Sequence, residues 1–89
     1  MTTSEAVKHL ETARASADAA IRAVDNLLVP NDYQDVAALT IRAAEALLAA
    51  AAQFLTEGDE VAFDSISRSE DLLDAVYEII TGDIDADED

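Results

Sequence analysis

Apolar residues recur at alternating steps of four and three positions along three stretches of this 89-residue chain. This spacing matches the turn of an α-helix and draws an apolar stripe along each stretch. The stretches are separated by residues 29–32 and 57–59, where Pro30 and Gly58 favour turns. The pattern therefore predicts an all-α fold, an antiparallel three-helix bundle, with helices over residues 3–28, 33–56 and 60–81.

Capping residues define the expected ends of these helices. Thr2 is followed three positions later by Glu5, which predicts a capping box. Gly58 suits the left-handed position after the second helix, and Asp59 suits the cap of the third. Gly82 is predicted to end the third helix. The chain is thus expected to be one helical domain over residues 1–82, followed by a disordered acidic tail over residues 83–89.

The second helix is expected to be central because two apolar seams run side by side along it. The first seam contains Ala37, Ile41, Ala44, Leu48, Ala51 and Leu55, and the second contains Val36, Thr40, Ala43, Leu47, Ala50 and Phe54. The remaining face, with Ala38, Ala46, Ala49 and Ala52, also carries little charge. Two neighbouring helices would not cover so much apolar surface, so we predict a homodimer.

The other two helices have one buried face each. The predicted face of the first contains Ala6, Leu10, Ala13, Ala17, Ala20, Val24 and Leu27, widened by Ile21 and Leu28. The predicted face of the third contains Ala62, Ile66, Ser69, Leu73, Val76 and Ile80, with Phe63, Leu72 and Ile79 beside it. Phe54 and Phe63 are expected in the core near the Gly58 turn, and Tyr77 at the rim of the core.

The charge of the chain is concentrated near its end. The net charge of −15 divides into −1 for residues 1–29, −2 for residues 30–56 and −12 for residues 57–89, which hold one basic and thirteen acidic groups. An excess of this sign argues against direct contact with nucleic acid or anionic lipid. Any charged partner should therefore be a basic protein surface.

The acids of the third helix follow the apolar stripe at a displacement of two residues, which is about 200° around a helix. They therefore form a stripe opposite the buried face, extended to one side by Glu70 and interrupted only by Ser67. We call this stripe the acidic ridge and predict it as the partner-binding site: Glu60, Asp64, Asp71, Asp74 and Glu78. Two other interpretations remain open, a solvated outer face and adaptation to high salt.

No pattern of catalytic or metal-binding residues is present. His9 is the only histidine and there is no cysteine, which leaves neither a His/Cys zinc site nor a Cys-His nucleophile. We expect His9 on the surface. Asp83, Asp85 and Asp87 match only the first positions of a calcium loop. We therefore predict no enzyme activity, no cofactor and no metal site.

Membrane insertion is not expected either. The longest apolar run, residues 43–55, is shorter than the roughly 20 residues that a span needs. The amino terminus has no basic region followed by an apolar run, so we predict a cytoplasmic location without a signal peptide.

Two functional hypotheses follow. In size, acidity and lack of catalytic groups, the chain resembles the small inhibitors that phages use against host defence nucleases, including DNA mimics and anti-CRISPR proteins. This resemblance implies a non-catalytic protein that binds and inhibits a partner with a basic, nucleic-acid-binding surface. The alternative is a self-associating structural helical module whose acidity serves only solubility or salt adaptation.

Overall fold

The computed structural model describes the backbone of residues 1–88 and the side chains of residues 1–82. It contains three α-helices, α1 (Thr3–Asp25), α2 (Gln34–Thr56) and α3 (Asp59–Glu88), and no strand within the described backbone. The prediction of an all-helical chain with three helices is confirmed.

Two of the predicted capping signals are found, one at the start of α1 and one directly after α2. The hydroxyl of Thr2 accepts a hydrogen bond from the Glu5 backbone N–H at 3.2 Å and donates one to the Glu5 carboxylate at 3.3 Å. Gly58 has φ of +103°, the left-handed conformation that favours glycine. Asp59 is the first residue of α3 rather than its cap, so its carboxylate lies in the first turn, where the helix dipole favours negative charge.

The three helices lie antiparallel to their neighbours, with α2 in the middle. Asp25 at the end of α1 forms an ion pair with Arg42 in the first half of α2 (Nη2 to Oδ2 3.7 Å). At the other end of this pair of helices, the start of α1 lies beside Thr56. The hydroxyl of Ser65 in α3 donates to the Gln53 carboxamide oxygen in α2 at 2.6 Å.

The arrangement is an open layer. At every described position the Cα atoms of α1 and α3 remain more than 8 Å apart, although both helices pack on α2. The Cα positions span 54 × 31 × 15 Å, so the molecule is about twice as wide as it is thick. The radius of gyration is 15.8 Å, against about 12 Å for a compact domain of this length. Much of the apolar surface of α2 therefore lacks a covering helix.

The core is built mainly from alanine. Ala43 and Ala50 of α2 are 2% exposed and Ala62 of α3 is fully buried, whereas no large side chain within residues 1–82 is fully buried. Small side chains let helix axes approach closely but bury little apolar area each. The helices are therefore held by close contact along α2 rather than by a thick hydrophobic centre.

The buried side of α2 matches the prediction only in part, because Ala43 and Ala50 of the second predicted seam are buried. The first predicted seam contains no buried residue, and Ala37, Ala44, Ala51 and Leu55 in it are exposed. Three of the four alanines expected on the remaining face are also buried, namely Ala38, Ala46 and Ala49. Because almost every side of α2 is apolar, its pattern did not distinguish the sides that α1 and α3 contact.

Large apolar side chains are also less buried than expected. Leu48 is half-buried. Phe54 and Phe63 meet edge to face, with ring centroids 5.7 Å apart, but are 44% and 56% exposed. Tyr77 is 68% exposed, so it lies outside the predicted core rim. Among the described residues α1 does not approach α3, so α1 does not cover the junction of α2 and α3.

Two predicted helix ends are corrected. α1 ends at Asp25, where Asn26 caps it, so Leu27 and Leu28 lie in the exposed connection instead of the buried stripe. Ala20, also assigned to that stripe, is exposed. α3 continues through Gly82, which does not adopt a positive φ, and its helical backbone reaches Glu88. The disordered tail over residues 83–89 stays a prediction. A single glycine weakens a helix by about 1 kcal/mol without ending it. Residue 89 lies outside the described residues.

Candidate partner-binding surfaces

The acidic ridge occupies the outer edge of α3. All five of its carboxylate residues, Glu60, Asp64, Asp71, Asp74 and Glu78, are exposed. Their steps of four, seven, three and four positions keep them on one side of the helix. The structure therefore places the predicted residues together on a solvent-facing line, as their sequence spacing requires.

The opposite side of α3 fixes this orientation. Ala62, Ser69 and Val76 recur at steps of seven and are buried against α2. Ser69 satisfies its own hydroxyl by donating to the Ile66 carbonyl oxygen at 2.6 Å, so a polar residue is accommodated in this contact. Packing of the apolar side against α2 thus directs the ridge away from the layer.

No ion pair joins the ridge to a basic residue within the described side chains. The one ion pair among residues 1–82 joins Arg42 to Asp25, on the other side of the molecule. Arg68 is the only basic residue of α3, and its charge acts on Glu45 of α2. The carboxylates of the ridge are therefore open to a cationic partner.

The ridge has a lower charge density than nucleic acid. Glu60 and Glu78 are 18 positions apart, which is about 27 Å along the helix axis. Five charges over this length give one per roughly 7 Å, compared with one per about 3.4 Å for a single DNA strand. The ridge therefore offers a row of anions at about half the density of a phosphate backbone.

A second exposed surface runs along α2. Six residues at steps of three and four form it, and all are exposed: Ala37, Thr40, Ala44, Leu47, Ala51 and Leu55. We call this surface the α2 stripe. It contains no charged residue, and the Thr40 hydroxyl is satisfied by the Val36 carbonyl oxygen at 2.8 Å, which leaves the methyl group to face outward. Sequence analysis identified these apolar positions but expected some of them to be buried.

The other side of α2 carries a carboxyl pair. Glu45 Oε2 has no contact with solvent and, while the carboxyl groups are ionised, receives no hydrogen bond from the described residues. A hydrogen bond with the Asp18 carboxyl, burial and the negative charge of Asp18 raise the pKa of Glu45, while Arg14 and Arg68 lower it in part. Two carboxyl groups can share a hydrogen bond only when one holds a proton, so the charged form of Glu45 is disfavoured here.

The described residues contain no group of side chains suited to hold a metal ion. His9 is exposed on α1, as predicted. Asp83, Asp85 and Asp87 lie outside the described side chains. The small depressions in the surface are open and shallow, and one is lined by Met1, Ala6, His9 and Leu10.

α2 is long and apolar enough to cross a membrane when only length and composition are considered. The central helix of a globular protein meets the same criterion, and α2 lies between two other helices.

No protein-family model matches the chain, and no curated protein or solved structure is significantly similar to it.

Proposed function

We propose that this protein is a non-catalytic binding protein that docks its acidic ridge on a basic, nucleic-acid-binding surface of another protein and inhibits that protein. The observation that supports the proposal is the position of the five ridge carboxylates, which are exposed on one edge and form no ion pair with a described basic residue. Residues 1–29 and 30–56 carry net charges of only −1 and −2, so the acidic residues are concentrated in the last part of the chain.

Inhibition would follow from occupation of the basic surface. Lysine and arginine side chains that normally contact phosphates would contact the ridge instead, and the body of α3 would exclude nucleic acid by its volume. A row of like charges accelerates encounter with an opposite surface, and added salt screens this attraction over about 8 Å at physiological ionic strength. Binding is therefore expected to weaken steeply as salt rises.

Charge reversal of the ridge tests the proposal. The variant replaces Asp64, Asp71, Asp74 and Glu78 with lysine and should fold, because all four side chains are exposed. The wild type and the variant would be compared for binding to proteins captured from the cells that produce the chain. A helical peptide with lysines at steps of four and three serves as a defined probe. The reversal should abolish binding to both.

A control of equal charge separates ridge geometry from net charge. Replacement of Glu11, Asp32, Asp35 and Glu57 with lysine changes the net charge by the same amount, and these residues are also exposed. This control should retain most of the affinity. If the two variants bind equally well, or if the reversed ridge retains full affinity, the ridge is only a solvated face.

A self-associating structural module is the second candidate function, and a different observation favours it. The α2 stripe leaves two leucines on an uncharged surface, with Leu47 47% and Leu55 50% exposed. A contiguous apolar surface without charge is a candidate contact surface. The homodimer expected from the sequence belongs to this candidate.

A further inference from the structure

We propose that a second copy of this chain covers the α2 stripe, with the two α2 helices packed antiparallel about a two-fold axis at the level of Ala46. The inference deepens the second candidate function and does not depend on the role of the acidic ridge.

The order of side chains along the stripe is self-complementary. Its first half carries the small residues Ala37, Thr40 and Ala44, and its second half carries Leu47, Ala51 and Leu55. In a symmetric contact, residue i meets residue j of the copy and j meets i. An antiparallel arrangement centred near Ala46 sets Leu55 over Ala37 and Leu47 over Ala44. Each leucine then has a small residue opposite it.

The exposed area of the chain agrees with a missing subunit. Its accessible surface is 6263 Å², whereas a compact monomer of 9.5 kDa exposes roughly 5,000 Å². The excess of about 1,200 Å² exceeds the roughly 800 Å² that each partner buries in a standard interface. The open layer is therefore extended enough to supply a dimer interface.

Charge favours the stripe over the rest of the surface as the site of self-association. Each copy carries −15, so most approaches between two copies are repulsive. The stripe holds no Asp, Glu, Lys or Arg, and the acidic ridge points away from α2. Contact through the stripe keeps both ridges on the outside of the dimer. Added salt should strengthen this contact by screening repulsion, which is the opposite of its effect on ridge binding.

The main experiment measures the oligomeric state of the full chain by sedimentation equilibrium. The protein concentration is on the order of tens of micromolar, at which a dimer with a micromolar dissociation constant is populated. The Leu47→Glu variant places a charge in the proposed interface, while Ala15→Glu places the same charge at an exposed position of α1. The wild type and Ala15→Glu should be dimers. Leu47→Glu should raise the dimer dissociation constant by roughly 100-fold or more, because burial of an unpaired charge strongly disfavours association.

Disulfide cross-linking tests the antiparallel arrangement, because the chain has no cysteine of its own. Thr40→Cys and Ala51→Cys should form a disulfide readily when the two variants are mixed. Each variant alone should cross-link poorly, since the same position in two copies would be about 16 Å apart along the helices. Equal cross-linking in all three samples would contradict the two-fold arrangement.

Any one of the following results overturns the inference. A monomeric wild type, or a Leu47→Glu variant that remains a dimer, excludes the stripe as the dimer contact. If both Leu47→Glu and Ala51→Glu unfold, as seen by circular dichroism, the stripe belongs to the monomer core. A wild type that floats with phosphatidylcholine vesicles and does not self-associate has a lipid surface as its partner. In all these cases the ridge proposal stands or fails separately by its own charge-reversal test.

Discussion

The acidic ridge and the α2 stripe are exposed surfaces on neighbouring helices, and they differ completely in charge. The ridge presents five carboxylates at helical spacing, whereas the stripe presents only apolar groups and one internally satisfied hydroxyl. Like charges at these steps destabilise a helix. A leucine side chain that stays exposed contributes no hydrophobic stabilisation. Packing within the monomer explains neither surface, which is why we propose an intermolecular contact for each. The two contacts that we propose therefore differ in chemistry, one being electrostatic and the other apolar.

The largest effect should come from filling the packed side of α2. Ala50 is 2% exposed between the helices, so Ala50→Leu should destabilise the monomer by about 1 to 3 kcal/mol through overpacking. The matched change Ala44→Leu lies on the stripe and should alter stability by less than about 0.5 kcal/mol. Urea unfolding in the Leu47→Glu background keeps dimer dissociation out of the measurement. Equal losses from both changes would mean that the stripe is covered within the monomer.

An intermediate effect is expected at Glu45, on the side of α2 away from the stripe. Its pKa is raised in the folded state, mainly by the Asp18 hydrogen bond and burial. The folded protein therefore binds more protons at this group than the unfolded chain does, and its contribution to stability falls as pH rises from the usual value of 4.5 through the raised one. Glu45→Gln should stabilise the protein at pH values above this window and have little effect below it.

Thermal unfolding across this pH range, with Glu78→Gln on the ridge as the control, would measure the effect at Glu45. The quantity of interest is the difference between each variant and the wild type at the same pH, which removes the contributions that the two proteins share. If Glu45→Gln gains no more than Glu78→Gln above the window, the carboxyl pair does not disfavour charge as inferred.

The smallest effect should come from neutralising one residue of the ridge. Asp74 lies three positions from Asp71 and four from Glu78. Asp74→Asn should therefore stabilise the protein by a few tenths of a kcal/mol for each like-charge pair removed at low salt. Asp35→Asn, in the first turn of α2, should instead cost about 0.3 to 1 kcal/mol through the helix dipole. Both differences should shrink in high salt, and a destabilising Asp74→Asn would show that the ridge is not repulsive.

The sequence by itself determined the three helices, their main caps and the direction of the ridge. On α3 the apolar stripe is narrow, so one side can pack and the acids must face solvent two positions away. The Thr2–Glu5 cap and the left-handed Gly58 depend on neighbouring residues alone, which is why local patterns located them. The end of α3 was misplaced because a glycine can either end a helix or continue it.

Only the tertiary structure decided which apolar residues of α2 are buried. Residues on nearly every side of this helix are small or aliphatic, so the sequence sets no preferred phase for its contacts. The positions of α1 and α3 then selected Ala38, Ala43 and Ala50 for the interior and left Leu47 and Leu55 outside. Burial of a side chain depends on which neighbouring helices contact it. Helix periodicity does not identify the contacted side when the apolar surface extends almost all the way round the helix.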